Sequence, residues 1–575
     1  MGRGIELRAR AGQHFVYSAR SLIVTDLNGR IDGGIHGFYV EETRLLSRHE
    51  LAIDGAPLKT FAASPVDGDA FLAYAEAPEG PRVPARAVHL TIPRRLGKGL
   101  REAIRLENHH RTETAAFDFA LRLAADFADI VEAKEGKRQQ TGQVESRWDK
   151  GRQELTFRYV DSPLDRAVAI RVDQAPELFR VQHDALVVSL VLPPHTTVDV
   201  QFVVEPIFDG VRGSAPRQVF GGTPTPLERV RRQLRDEAPA LTTTNAIVAR
   251  AWRTAIADLA SLPLGLEPGP AAPIAGLPFY QQFFGRDTLT ISWQALLAMP
   301  AMMRDTLRLN AAWQGAAIDD WRDEEPGKLI HQARWGPLSL LGFNPFDRYY
   351  GDYATPPDFL IMLGQYLAWT NDLATVRELL PAARKAIDWL DHYGDLDGDG
   401  FIEYVTRSLG GVANQGWKDS WDAIVDVDGA IVKPPIATCE LQAYWFAGLQ
   451  QAAVAFFAAG DRAYALEQWR KAGALKRRFD TAFWMEGEGF YAMGLGPDKR
   501  QIRSIASNVG HLLAAGIVPE AKGLRVARRL MAPDLFSGWG VRTLSSDHPA
   551  YDPFSYHRGS VWPVENGTFA FGLAR

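Results

Sequence analysis

The loop at residues 413–424, Ala-Asn-Gln-Gly-Trp-Lys-Asp-Ser-Trp-Asp-Ala-Ile, combines a carboxylic acid with aromatic rings. Asp419 stands between Trp417 and Trp421, and Lys418 precedes it. A carboxyl group beside apolar rings tends to have a raised pKa, because desolvation disfavours its charged form. A carboxyl that is protonated at neutral pH can act as a general acid, and flat aromatic faces suit the C–H faces of sugar rings. The loop therefore indicates acid catalysis on a sugar. The competing interpretation is a polar loop whose tryptophans cover the core.

Three further loops bring charged and aromatic residues together. In residues 279–288, Arg286 and Asp287 follow Gly285 at a predicted helix start, where they could bind neighbouring hydroxyls or simply cap the helix. The other two loops are residues 343–356, with Asp352 among several rings, and residues 556–566, with His557, Trp562, Glu565 and Asn566. For both of these, packing of the rings onto the core is the competing interpretation.

Two acidic patterns resemble metal sites. Asp395, Asp397 and Asp399 precede Gly400 with the spacing of a calcium-binding loop, but the twelfth position is Thr406 instead of the bidentate Glu. Glu403 could supply the missing carboxylate, so these three Asp residues with Glu403 form a candidate site for a structural calcium.

The second pattern is Asp319-Asp320-Trp-Arg-Asp323, a DDxxD match of the kind that holds magnesium in prenyl-diphosphate enzymes. Such short acidic matches are common by chance, and the following Glu-Glu-Pro-Gly-Lys is typical of a solvated turn. A cyclase that ionises a diphosphate substrate is therefore a functional hypothesis for this chain, and it is the least favoured one.

The elements that carry these loops change character along the chain. Trp148 is the only tryptophan before residue 240, and the other 14 lie between Trp252 and Trp562. Residues 1–225 contain short alternating segments, such as Val188–Leu190–Leu192, separated by turn signals such as Asn28-Gly29. This spacing predicts an antiparallel β-sandwich.

The rest of the chain has helical periodicity. Leu227, Val230 and Leu234 predict a linker helix within residues 226–243, which Pro239 ends. Amphipathic segments then follow at 244–262, 286–298, 301–316, 356–370, 373–393, 437–459, 461–484, 503–515 and 519–531. Helical hairpins joined by long loops predict an (α/α)6 toroid over residues 244–575, with the site in its loops.

Composition and charge exclude several classes of protein. The 575 residues are 46 % hydrophobic and 23 % charged, with a net charge of −5, which is typical of a multidomain globular chain and not of a nucleic-acid binder. Cys439 is the only cysteine, so neither an intramolecular disulfide nor a cysteine-based zinc site can form. We find no apolar signal-peptide core and no run of 18 apolar residues, and we expect a cytoplasmic protein with no membrane partner.

The motifs, taken in order, resemble those of the bacterial amylo-α-1,6-glucosidases, the glycoside hydrolases that are similar to glycogen-debranching enzymes. The resemblance rests on AGLPFYQQFFGRDT (275–288), EEPGKLIHQAR (324–334), RYYGDYATP (348–356), DLDGDGFIEY (395–404), NQGWKDSWDAI (414–424), SNVGHLL (507–513) and YHRGSVWPVENG (556–567). HGFYVEETRLLS (36–47) resembles the β domain that precedes the barrel in this family.

The resemblance implies inverting hydrolysis of an oligosaccharide or polysaccharide α-glucoside, with no organic cofactor. Asp419 would be the general acid, and Arg286 with Asp287 would hold the non-reducing glucose. The residues that would line the pocket are Tyr350, Trp417, Trp421, His557 and Trp562, and Lys418 beside the acid is counted with them as substrate-binding. Related barrel enzymes hydrolyse glucosylglycerate and mannosylglycerate, so the resemblance does not fix the identity of the leaving group.

The general base is the open question. The family carries it on a Pro-Glu-Leu loop that follows the YHRGSVWP segment by some tens of residues, whereas this chain stops at Arg575. The tripeptide occurs at 176–178, in the β half, where we expect it by coincidence. We therefore expect a fragment that lacks the last helices of the barrel, or else Glu565 as the base. A catalytically incomplete glycan-binding protein is the second functional hypothesis.

Overall fold

The computed structural model describes residues 12–220, 224, 226–265, 269 and 271–575. Its contacts divide the chain into two units. Unit 1 consists of Met1–Arg231, Gly276–Gln282 and Arg334–Phe343, and unit 2 of Arg232–Ala275, Phe283–Ala333 and Asn344–Arg575. Two short segments from beyond residue 231 thus belong to unit 1. The boundaries predicted at residues 225 and 243 stay predictions.

Unit 1 is built of antiparallel strands. In chain order they are β1 (His14–Ser18), β2 (Ser21–Thr25), β3 (Ile31–Asp32), β4 (Gly37–Val40), β5 (Thr43–Leu46), β6 (Arg48–Ile53), β7 (Ala56–Pro57), β8 (Lys59–Asp67), β9 (Ala70–Glu76), β10 (Val88–Leu96), β11 (Leu100–Asn108), β12 (Ala115–Ala124), β13 (Gln143–Asp149), β14 (Glu154–Asp161), β15 (Leu164–Gln174), β16 (Arg180–Gln182), β17 (Ala185–Leu192), β18 (Thr197–Phe208) and β19 (Val211–Arg212).

These strands form three sheets. The largest has the order β13-β14-β15-β18-β11-β10-β9-β8, with β19 paired to β18. The second has the order β16-β17-β12-β6-β3, with β7 paired to β6, and the third is β1-β2-β4-β5. Alternate residues of β18, Val200, Phe202 and Val204, are fully buried in the core of this unit, as period-two patterning predicts.

A buried charge cluster holds the segment Arg334–Phe343 within unit 1. Arg334 pairs with Glu42, and the backbone N–H of Gly336 donates to Glu42 Oε2 over 3.2 Å. Asp129, the N-cap of the short helix Ile130–Glu135, accepts from Leu338 N at 3.1 Å. Burial and the neighbouring Glu42 charge raise the pKa of Asp129 to about 7. The cluster ties residues that are about 290 positions apart in sequence.

The helices carry most of unit 2. In chain order the helices of the whole chain are α1 (Ile130–Glu135), α2 (Pro226–Glu237), α3 (Ala246–Ala260), α4 (Gly285–Gln294), α5 (Pro300–Ala312), α6 (Pro337–Leu340), α7 (Thr355–Thr370), α8 (Leu373–Trp389), α9 (Cys439–Ala459), α10 (Arg462–Phe483), α11 (His511–Ala515), α12 (Glu520–Leu530) and α13 (Pro563–Ala574).

Short strand pairs join the loops between these helices. They are built from β20 (Phe283–Phe284), β21 (Gln332–Ala333), β22 (Ala437–Thr438), β23 (Trp484–Met485), β24 (Phe490–Tyr491), β25 (Gly494–Leu495) and β26 (Gln501–Ile502). Side-chain caps set several helix starts: Asn245 for α3, Asp372 for α8 and Asp461 for α10. None of the helices in the described part of the chain has the length and apolar character that crossing a bilayer requires.

One predicted helix is shorter in the structure. The segment 503–515 begins as extended chain, because Gln501–Ile502 pairs with Gly494–Leu495 and delays the turn. A 3-10 turn follows at Ser507–Gly510, and α11 covers only His511–Ala515. The pairing partner is another short strand along the chain, so local periodicity did not reveal it.

Candidate active site

Arg286 joins three groups of the candidate site in unit 2. One guanidinium nitrogen lies 3.2 Å from Asp419 Oδ2, and another lies 3.0 Å from Asp352 Oδ2. The second nitrogen also donates to the carbonyl oxygen of Gly416 over 2.6 Å. A planar guanidinium that spans two carboxylates and a loop carbonyl fixes the relative positions of all three. Arg286 therefore sets the place of Asp419.

The start of α4 positions Arg286 and depends on a glycine. Strand β20 pairs with β21, and Gly285 N donates to His331 O over 2.7 Å directly after that pairing. A Cβ on Gly285 would lie 2.0 Å from the carbonyl oxygen of Ile330, which no side chain allows. The same ribbon brings His331 Nε2 to 4.0 Å from Asp419 Oδ2.

Asp352 serves both the fold and the site. Its side chain is almost fully buried, and Oδ1 accepts from the backbone N–H groups of Ala354 at 2.7 Å and Thr355 at 3.3 Å, where α7 begins. Its other oxygen faces Arg286. The helix start thus holds a carboxylate in a fixed position beside the arginine.

The electrostatics of Asp419 suit a proton donor. Burial raises its pKa to about 6, the nearby Asp287 and Asp352 charges add to the rise, and Arg286 opposes it. Burial likewise raises the pKa of Asp287. The side chain of Asp419 still exposes 28 % of its surface, so a substrate can reach it. Near neutral pH a fraction of Asp419 therefore carries a proton in an accessible position.

Aromatic rings surround Trp417, two residues before the acid. Its ring centroid lies 5.7 Å from His511, 5.2 Å from His557 and 5.9 Å from Trp562. His557 stacks on Trp562 with 19° between the planes, and its Nδ1 lies 2.9 Å from Ser420 Oγ. Burial lowers the pKa of His557 to about 2, so the ring is neutral. The structure thus brings the predicted Trp417, His557 and Trp562 together.

Glu565 lies in the first turn of α13 and is almost completely buried. Its Oε1 accepts a hydrogen bond from Ser507 Oγ at 2.6 Å and lies 3.2 Å from His511 Nε2. Within the described residues, Oε2 has no hydrogen-bond partner. Its role as a base stays a prediction.

Of three other predicted residues, two are buried and one is exposed. Lys418 is buried and donates to the carbonyl oxygen of Thr543 over 2.5 Å, and burial lowers its pKa to about 8. Tyr350 is also buried, with its hydroxyl on the carbonyl oxygen of Trp313 at 3.1 Å. Trp421 is 72 % exposed. In this arrangement the polar ends of Lys418 and Tyr350 hold the fold, and their substrate contacts stay predictions.

One buried carboxylate was not singled out from the sequence. Glu440 lies at the start of α9, fully buried, and accepts from Asn508 Nδ2 at 3.0 Å. A Cβ on Gly416 would lie 3.2 Å from Glu440 Oε1, so this carboxylate packs against the loop that carries Asp419. Its signal was an acidic residue inside an otherwise apolar helix. The preceding Cys439 is also buried, and burial raises its thiol pKa well above the usual range.

The four acidic side chains of the predicted cation loop lie close together in the structure. One oxygen each of Asp395, Asp397, Asp399 and Glu403 lies within 4.8 Å of the others. Lys499 Nζ lies among them, 2.9 Å from Asp397 Oδ2 and 2.8 Å from Asp399 Oδ2, and it also contacts Glu403. The oxygen donors fit calcium, yet the ammonium group of Lys499 already lies against three of the four carboxylates. A calcium ion here would have to displace Lys499.

The DDxxD segment does not present three carboxylates to a ligand. Asp323 is buried and accepts from Tyr349 Oη at 2.8 Å and Arg407 N at 2.7 Å. Asp319 pairs with Arg322 and Asp320 with Arg407. All three therefore organise this loop, which removes the basis of the cyclase hypothesis.

Comparison with known families identifies two parts of the chain. Residues 17–203 match the N-terminal domain of some glycogen debranching enzymes. Residues 353–575 match the mannosylglycerate hydrolase MGH1-like glycoside hydrolase domain. No curated protein sequence matches the chain significantly. The matched domains make the chain an enzyme of the glycoside hydrolase type.

Solved structures agree on the fold. A bacterial glucoamylase complexed with acarbose is similar over 98 % of this chain and 87 % of its own, with 10 % identity and a TM-score of 0.56. A putative kojibiose phosphorylase from human microbiome is similar over 84 % of this chain and 69 % of its own, with 9 % identity and a TM-score of 0.51. The predicted fold class, an antiparallel β-sandwich followed by an (α/α)6 barrel, is confirmed.

Proposed function

We propose that the chain hydrolyses α-glucosides with inversion of configuration and that Asp419 is the general acid. The observation that carries this proposal is the environment of Asp419. It is accessible, its pKa is raised to about 6, and the guanidinium group of Arg286 is within 3.2 Å. A neutral carboxyl that becomes charged during reaction benefits from a cation already in place.

The proton transfer follows from these contacts. Asp419 gives its proton to the glycosidic oxygen while the bond from that oxygen to the anomeric carbon breaks, and the leaving sugar keeps the proton. The resulting carboxylate is stabilised by Arg286. A second carboxylate accepts a proton from the attacking water, and Glu565 is the candidate for this role. Inverting sites hold the two carboxyl groups about 6.5–9.5 Å apart so that water fits between them.

The groups around the acid suit a glucose residue. Arg286 and Asp287, at the start of α4, offer donors and acceptors to neighbouring hydroxyls. Trp417 and Trp562 offer flat apolar faces. We therefore place the non-reducing glucose of an α-1,6-linked branch between these residues.

A second substrate class is favoured by one observation. The match of residues 353–575 to a mannosylglycerate hydrolase-like domain favours a glycoside of a small acid, such as glucosylglycerate. The same acid and arginine would serve this reaction, since only the leaving group differs.

The test is glucose release followed by proton NMR. Wild type is incubated with an α-1,6-glucosyl maltooligosaccharide and, separately, with glucosylglycerate, beside Asp419→Asn and the control Asp428→Asn, an exposed Asp nine positions further on. We expect β-glucose to appear first with wild type and Asp428→Asn, and no release with Asp419→Asn. The variant should still bind the substrate. Early α-glucose, or full activity of Asp419→Asn, would contradict the mechanism.

If wild type releases no glucose from either substrate but binds maltooligosaccharides, the glycan-binding hypothesis replaces hydrolysis for this chain.

A further inference from the structure

Trp539 is 96 % exposed, although tryptophan is costly to leave in water. It lies on a tight turn, Ser537–Gly540, in which Ser537 N donates to Gly540 O over 2.9 Å and Gly538 has a φ of +90°. Ser537 Oγ accepts from Trp539 N at 3.2 Å. The turn therefore fixes the backbone that carries this exposed indole.

The segment that follows this turn is attached to the loops of the candidate site. Val541 N donates to Asn566 Oδ1 over 2.8 Å, and a Cβ on Gly540 would lie 2.7 Å from Val561 Cγ1. Val561 precedes Trp562, whose ring contacts Trp417 beside Asp419. Further along the same strand, Thr543 O accepts from Lys418 Nζ. Trp539 is thus an exposed ring on a turn that is anchored to the loop of the general acid.

Other exposed rings belong to the segments that hold this loop. Trp421 is 72 % exposed, Phe554 61 % and Tyr556 49 %. Beside them, Arg558 and Asp422 form an ion pair with 2.9 Å between the two groups. Apolar rings next to paired charges suit an uncharged partner with flat apolar faces, which is the character of neutral sugars.

The burial of the site residues indicates which end of a bound substrate extends into solvent. The groups proposed to hold the non-reducing glucose are all partly buried: Arg286, Asp287, Trp417 and Trp562. The part of a substrate that extends into solvent from such a site is the leaving-group side. Trp539 is an exposed ring on the turn that is attached to the loops of this site.

We propose that Trp539 stacks against a sugar residue on the leaving-group side of the bond that is cleaved. The preferred substrates are then neutral oligosaccharides, and not glycosides of a small acid. This inference rests on the proposed function, because the site must bind a glucoside for its leaving group to reach Trp539.

Binding is tested without turnover, in the Asp419→Asn background. The affinity for maltoheptaose is measured by isothermal titration calorimetry for that variant and for double variants with Trp539→Ala, Trp539→Phe or Trp469→Ala. Trp469, on α10, is 59 % exposed and serves as the matched control.

We expect Trp539→Ala to weaken binding at least ten-fold, which corresponds to about 1.4 kcal/mol. Trp539→Phe should retain most of the affinity because it keeps a ring, and Trp469→Ala should have no effect. Equal affinity of the Trp539→Ala and parent proteins would overturn the proposal. Dissociation of a dimer by Trp539→Ala in size-exclusion chromatography would also overturn it, because the ring would then cover a second copy.

Kinetics give an independent measure of the same contact. The ratio of kcat/KM on an α-1,6-glucosyl maltoheptaose to that on isomaltose should fall about ten-fold in Trp539→Ala and stay unchanged in Trp469→Ala. An unchanged ratio in Trp539→Ala would overturn the proposal. If wild type hydrolyses neither sugar, the proposed hydrolysis fails, and the binding measurement alone decides whether Trp539 contacts a glycan.

Discussion

At the scale of single residues, Asp419 lies between opposing charges. Burial and the charges of Asp287 and Asp352 raise its pKa, while Arg286 lowers it, and the balance lies at about 6. A raised pKa keeps the proton on the acid to a higher pH, so the active form is lost as the pH rises through that value. We expect kcat/KM to fall above pH 6 with an apparent pKa near 6.

The Asp287→Asn variant tests the cause of that value. It removes a negative charge that disfavours ionisation of Asp419, so the pKa of Asp419 should fall and the alkaline limb of the kcat/KM profile should move to lower pH. The measurement is a pH profile on one substrate for wild type, Asp287→Asn and the control Asp428→Asn. An unchanged limb, or a shift to higher pH, would show that the Asp287 charge does not act on the acid.

At this scale, a residue's role could be predicted where its partners are adjacent to it in the sequence. Asp419 and its rings were found because acid and tryptophans are adjacent along the chain. The orientation of Lys418 was not predictable, because its partner, Thr543, lies 125 positions further on. Tyr350 was expected in the pocket because of the family resemblance, and in the structure its hydroxyl donates to the carbonyl oxygen of Trp313.

At the scale of elements, Gly285 decides where α4 starts. In Gly285→Ala the new methyl group would meet the Ile330 carbonyl, so the helix start must shift and Arg286 must move away from Asp419 and Asp352. Misplacement by about 1 Å can cost about 100-fold in rate. We expect a loss of that size in kcat, with the far-ultraviolet circular dichroism spectrum retained.

The matched control is Gly473→Ala inside α10. There a Cβ would meet only Arg477 NH1, at 3.7 Å. An alanine in that position should leave kcat unchanged and raise the free energy of unfolding by about 0.4–1 kcal/mol. Equal activity of the two variants would show that α4 tolerates the shift.

The cation loop yields a prediction at the same scale. Because Lys499 Nζ already contacts Asp397, Asp399 and Glu403, where an ion would bind, the melting temperature of wild type should not respond to calcium or to EDTA. Lys499→Met leaves these carboxylates uncompensated, so it should melt at a lower temperature in EDTA and recover with calcium. Lys433→Met, at an exposed position, is the control. Stabilisation of wild type by calcium would show that the ion displaces Lys499.

Elements were predictable where local patterning decides them. The segment 437–459 was expected as a helix, and α9 covers Cys439–Ala459. The sandwich strands followed from alternation and turn signals. Segment 503–515 was only partly helical because a strand pairing outside the segment overrides its periodicity.

At the scale of the whole molecule, unit 1 is not one continuous stretch of chain. A piece ending at residue 231 would lack Arg334 and the N–H groups of Gly336 and Leu338, which serve the buried carboxylates Glu42 and Asp129. Breaking a buried ion pair costs about 3–5 kcal/mol. We expect residues 1–231 to unfold at a lower urea concentration than this unit does within the full chain.

Glu42→Gln should then change the free energy of unfolding in opposite directions in residues 1–231 and in the full chain. In residues 1–231 it removes an uncompensated buried charge and should stabilise, whereas in the full chain it takes the partner from Arg334 and should destabilise. Urea unfolding followed by circular dichroism measures both. The same sign in both proteins would show that Arg334 does not decide the state of Glu42. No pattern in the sequence indicated this pairing, because local motifs carry no information about partners about 290 positions away.

The chain also carries a single thiol group, and we expect that thiol to be unreactive towards alkylating reagents. Cys439 is fully buried, and its raised pKa keeps it from forming the thiolate that maleimides attack. A cysteine introduced at a fully exposed position, such as Leu409→Cys, would be the only one to react. Fluorophores or spin labels can therefore be attached at chosen positions without first removing a native cysteine, which opens this enzyme to single-molecule spectroscopy in its natural sequence background.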